Sequence, residues 1–170
     1  MIKKIFQGVG IFLLLAVFYL FLLLNGGLQT AAVQIADETP LPRIDGISSD
    51  NLQDLAAAFE AQIPYVSADG VGSVETMQNG ARKVTWHDAK GLTVTAIRPA
   101  SQAHLLRYDG LSMDTSCRWT ILDYAAAVAH DSSSACVYYA ADNAAYALYL
   151  PQGDVQSLEG LLEQLSFINP

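Results

Sequence analysis

Three histidines and two cysteines are the side chains of this chain best suited to proton transfer or nucleophilic attack. His87, His104 and His130 carry imidazoles that titrate near neutral pH. His87-Asp88 and His130-Asp131 have the residue types of a base and its orienting carboxylate, and Ser132-Ser133-Ser134 supplies hydroxyls beside the second pair. Adjacent residues of a strand, however, point to opposite faces, and neither a GxSxG elbow nor an SxxK motif is present to activate a serine. The expected outcome is solvated turn histidines and no catalytic residue.

Cys117 and Cys136 are candidates for a disulfide, because the chain places them outside the cytoplasm on the argument below, where such bonds persist. A bridge would close a loop of about 20 residues and contribute about 3 kcal/mol through chain entropy. The alternative is two buried thiols, with Cys136 acting as a small hydrophobe in an apolar strand. No CxxC spacing or paired histidine accompanies them, so a metal centre is not expected. Gly70-Val71-Gly72 lacks the Lys-Ser/Thr of a phosphate-binding loop and reads as an ordinary loop. Asp109, Asp114, Asp123 and Asp131 lack calcium-loop spacing and read as a solvated acidic surface. No cofactor is expected. Among the aromatics, Trp86, Tyr138 and Tyr149 are candidates for a binding surface on the sheet face away from the helices, since such rings join apolar area to a polar tip.

The N-terminal sequence decides where these residues would act. Residues 1–4 form a short basic end with Lys3 and Lys4, and no charge follows from Ile5 to Ala36. About 20 apolar helical residues cross a bilayer core, so 5–26 is expected to be a transmembrane signal-anchor helix closed by Asn25-Gly26-Gly27. The lysines keep the N-terminus cytoplasmic and place the rest outside. Cleavage near Thr30-Ala31-Ala32 is the competing reading. Residues 27–47, with Pro40 and Pro42, read as a flexible tether.

Residues 48–170 are then expected to form one extracytoplasmic domain. Ser48-Ser49-Asp50 offers helix-capping oxygens before Leu52, Leu55, Ala56, Phe59 and Ile63, whose spacing is helical up to Pro64. Asn79-Gly80 is a hairpin signal between strands over 73–78 and 81–88, and 92–97 adds a third strand. The pattern is lost between 100 and 116, apart from a helical turn over 103–108. Apolar runs at 119–129, 135–140 and 144–150 suggest a second meander. If Asp142-Asn143 is a two-residue turn, Tyr139 faces Tyr146 and Val137 faces Leu148. Val137, Tyr139, Tyr146, Leu148 and Leu150 then share one face, and Cys136, Tyr138, Ala147 and Tyr149 the other, with both faces expected to be covered. Asp154 caps a closing helix with Leu158, Leu161, Leu162, Leu165 and Ile168 on one stripe. The fold class expected is α+β: an N-terminal transmembrane helix, then an antiparallel sheet of five or six strands flanked by an N-terminal and a C-terminal helix.

The net charge of −8 argues against nucleic acid, which is held by clustered lysine and arginine. A cytoplasmic end of four residues is too short to signal alone. The function expected is a single-pass, membrane-anchored extracytoplasmic binding or assembly domain without catalysis and of unknown ligand, its partners being membrane lipid at the N-terminal helix and a membrane or envelope protein. The alternatives are a membrane-tethered envelope hydrolase using His87 or His130, and a secreted binding module freed by signal cleavage.

Overall fold

A computed structural model describes residues 43–170. In chain order these form β1 (Arg43–Ser49), α1 (Leu52–Phe59), β2 (Ile63–Tyr65), β3 (Gly70–Met77), β4 (Arg82–Asp88), β5 (Thr93–Arg98), a 3₁₀ helix (Ala100–Leu106), β6 (Ser112–Ile121), β7 (Tyr124–His130), β8 (Ala135–Ala141), β9 (Ala144–Leu150), α2 (Val155–Leu162) and β10 (Ser166–Ile168). The main sheet is antiparallel and has eight strands in the order β1-β3-β4-β5-β9-β8-β7-β6, and β2 pairs with β10 in a second, two-stranded sheet. The five or six strands expected were too few, and helix is a minor component. Among the described residues no helix is long and apolar enough to cross a membrane. The transmembrane span expected at 5–26 lies outside the described residues.

Three features account for the missing strands. β1 starts at Arg43, inside the segment read as tether, and pairs along β3 with Ile47 opposite Val74. β6 arises where apolar periodicity was lost, since most of its residues are exposed. The run 119–129 is two strands, folded back at Leu122 and Asp123 with φ angles of 49° and 68°. Those angles fit a tight hairpin turn, but leucine is a rare occupant of left-handed backbone, and its presence disguises the break.

The β8–β9 hairpin has the expected register: Val137 pairs with Leu148, Tyr139 with Tyr146 and Ala141 with Ala144. Asp142 and Asn143 both take positive φ, as a two-residue turn requires. The Asn79-Gly80 turn differs from its expectation. The Met77 N–H donates to the Ala81 carbonyl at 2.8 Å and the Gly80 N–H to that of Met77 at 2.9 Å, so the loop has three residues and only Gly80 is left-handed.

Alternation divides the core between the two faces of the sheet. One face presents Val84, Trp86, Val94, Val128, Val137, Tyr139, Tyr146 and Leu148 to α1, α2 and the small sheet, where Leu55, Phe59, Ile63 and Leu158 are fully buried against them. The other presents Ile97, Cys136, Ala145 and Ala147 to Leu106 and the 3₁₀ segment. Both faces of the β8–β9 hairpin are therefore covered, which is why neither is polar.

The first helix starts later and ends earlier than its pattern suggested. Asn51 is the cap, its side chain accepting the Gln53 N–H at 2.9 Å, while Ser48 and Ser49 belong to β1. The helix ends at Glu60, whose φ of 59° reverses the chain. Arg82 and Arg98, opposite each other on β4 and β5, donate to its last carbonyls. Positive charge there complements the helix dipole. The closing helix stops at Leu162, and Phe167 and Ile168 pair with β2 instead of extending the stripe.

Candidate functional site

The residues selected for chemistry are mostly drawn into local structure. Asp88 is buried and accepts the Lys90 and Leu92 N–H groups at 2.9 and 3.0 Å, closing the β4–β5 turn. His87 is exposed on the opposite face, with Nδ1 at 3.0 Å from the Thr93 hydroxyl. His87 and Asp88 therefore do not form a pair. Asp131 accepts the Ser133 and Ser134 N–H groups, both at 2.7 Å, which fixes the serine loop and holds the carboxyl below its ordinary range. His104 lies half-buried in the 3₁₀ helix.

His130 does meet a carboxylate, although not its neighbour. Its Nε2 is 3.6 Å from Asp114 Oδ2, across the β6–β7 pair. Asp114 opens a wide irregularity in β6: Asp114 pairs with Val128 and Trp119 with Ala126, so the residues between them face Ala127 alone. The carboxylate organises this bulge. It accepts the Ser116 N–H at 2.8 Å, the Ser116 hydroxyl at 2.6 Å and the Cys117 thiol at 3.1 Å. The Ser116 hydroxyl, then the thiol and the amides, keep the Asp114 carboxyl far below its ordinary range. The same contact pushes the Cys117 thiol up. A nucleophilic cysteine needs the reverse shift, so this constellation shapes the strand and lacks the electrostatics of an activated thiol. Sequence reasoning missed it because the pairing depends on β6, the strand with no apolar signal.

Both cysteines are free thiols, which corrects the disulfide expectation. Cys117 packs with the helix-side cluster and Cys136 with the cluster on the other face, so the sheet itself separates them. Burial pushes the Cys136 thiol up to about 12.

Of the proposed binding surface, Trp86 is fully buried, with Nε1 donating to the Ser67 carbonyl at 3.3 Å. Gly70 and Gly72 make room for its indole. A Cβ on Gly72 would stand 2.9 Å from the ring and collide with the Thr85 carbonyl. These glycines belong to β3 and are not a loop. Tyr138 and Tyr149 are half-buried and share the expected face, but the 3₁₀ segment brings Tyr108 onto them. Tyr108 stacks on Tyr149 with centroids 4.1 Å apart, and its N–H donates to the Tyr138 hydroxyl at 3.3 Å. The groove imagined there is filled.

Among the described residues, a concavity opens elsewhere, between β6 and α2. It has a volume of about 520 Å³ and is lined by residues 118–122, by Leu162, Leu165 and Phe167, and by Glu159 and Glu163. Trp119, Leu162, Leu165 and Phe167 are each half-buried, so the cleft has an apolar floor with a carboxylate rim. No protein-family model matches the chain. Neither a curated protein nor a solved structure shows a significant match to it. The cleft therefore has to be interpreted from its own chemistry. It joins the second tryptophan, not Trp86, to the closing helix. The apolar stripe of that helix was visible in the sequence, but the edge strand beside it was not.

Proposed function

We propose that residues 43–170 form a non-catalytic binding or assembly domain, held on the outer side of a cell membrane, that engages another protein through the cleft between β6 and α2. The observation that carries the reading is the cleft itself: the half-buried apolar side chains Trp119, Leu162, Leu165 and Phe167 gathered beside a sheet edge. Such a patch ringed by charge is what a protein interface presents. The outside placement is supported by sequence, through Lys3 and Lys4 followed by the charge-free run to Ala36.

A hydrolytic reading draws on His130 and Asp114, which do approach each other. Against it, the nearby thiol and serine hydroxyl are both directed at the carboxylate and serve the bulge.

The experiment is site-specific photo-crosslinking in the producing cells, using the full chain with the reactive group at Leu162 in the cleft or at Ser73 on the opposite face. The reading expects a discrete protein adduct from Leu162 and none from Ser73. Adducts of the same kind from both positions, or none from Leu162, would overturn it.

A further inference from the structure

We infer that the cleft accepts an extended, basic segment of a partner protein, which adds to the main sheet as a strand along β6. This rests on the binding role proposed above and specifies its mode. Among the described residues β6 ends the strand order, and its outer backbone groups have no strand partner there. The lining residues reveal which part of β6 borders the cleft. A cavity lying on one face of a strand would be lined by alternate residues, yet residues 118–122 line it consecutively. The cleft therefore follows the backbone edge.

Hairpin geometry then identifies the available groups. Ile121 and Tyr124 flank the two-residue turn and pair with each other, exchanging both of their hydrogen bonds. The alternation of an antiparallel ladder sends the N–H and carbonyl of Thr120 outward. Exposed edge groups of this kind are templates for strand addition. The bulge organised by Asp114 ends this free stretch on its N-terminal side, because its residues leave the ladder.

Charge selects the partner. Between residues 109 and 170 there are eight acidic side chains and one basic one, Arg118; Arg118 lines the cleft beside Glu159 and Glu163, so its charged lining is two carboxylates to one guanidinium. A second copy of this chain would bring like charge to the edge, whereas a segment alternating apolar and basic residues places one set on Trp119 and Leu162 and the other toward the glutamates.

The test uses the purified full chain and a synthetic peptide alternating valine and lysine, with a valine–glutamate peptide as comparison. The lysine peptide is expected to bind and the glutamate peptide not to bind. Thr120→Pro, which removes the outward N–H at an edge position where proline is tolerated, is expected to weaken binding about tenfold or more. Replacing both glutamates (Glu159→Gln with Glu163→Gln) is expected to weaken binding at low salt and reduce its salt dependence. A second readout needs no edge variant: in the unaltered chain, the infrared amide band of a carbon-13-labelled lysine peptide should move to the β-strand position on binding. Equal binding of the two peptides, or an unshifted band, would overturn the inference. If the cellular adduct from Leu162 persists undiminished in a folded Thr120→Pro chain, strand addition fails while the cleft's binding role stands.

Discussion

Cys117 gives its thiol hydrogen to Asp114 across 3.1 Å, from inside the bulge that interrupts β6. One short contact thus fixes the shape of the edge strand and the protonation of the thiol. The ionised carboxylate is held low by its donors, and the thiol is held up first by its hydrogen bond to that carboxylate, then by burial and by the like charge that losing its proton would create.

Asp114→Asn therefore removes the charge that keeps Cys117 protonated. Alkylation of Cys117 at neutral pH, followed by mass spectrometry of the native chain, is expected to run several-fold faster in the variant, since the thiolate is the reacting form. An unchanged rate would show that the contact does not govern the thiol.

Acid stability follows from the same shift. Asp114, Asp131 and Asp154 all have folded carboxyls below their ordinary range, held there first by the Ser116 hydroxyl, the Ser133 amide and the Ser157 hydroxyl respectively. Below about pH 5 the unfolded chain takes up protons that the folded chain refuses, so stability falls with pH through the range below the unfolded value of about 3.9. Urea midpoints measured from neutral to acidic pH are expected to decline, and less steeply in Asp131→Asn. A parallel decline in that variant would contradict the assignment.

Two further substitutions separate core from surface. Trp86→Ala is expected to cost about 3–5 kcal/mol by chemical denaturation, because it empties a fully buried site between α1 and the sheet. Met113→Ala, at a side chain 57% exposed, is expected to stay within about 0.5 kcal/mol of the parent.

These contrasts show what the sequence made legible. Where strand and turn chemistry agree, as in Tyr139 and Tyr146 around Asp142-Asn143, register and both faces were readable, and the two rings stack with centroids 4.7 Å apart. β6 was hidden because an edge strand with a polar bulge buries little and so shows no alternation. β1 was hidden by the prolines that precede it. Trp86 and Trp119 are the same residue type, and only the strand order reveals that one lies at the centre of the core and the other beside the open edge. The candidate cleft depends on that order, so the local pattern of α2 was insufficient to find it.

The free thiols supply another check. A thiol-reactive reagent applied after denaturation without reductant is expected to modify both Cys117 and Cys136, and prior reduction is expected to leave the melting temperature unchanged. Modification of neither would mean that the two are bridged.

Backbone hydrogen exchange of the full chain, read with and without the valine–lysine peptide, tests the central claim most directly. Occupation of the β6 edge predicts that exchange slows at Thr120, while Arg43–Ser49 at the opposite edge keeps its rates. Slowing at β1 with no change at Thr120 would contradict the account.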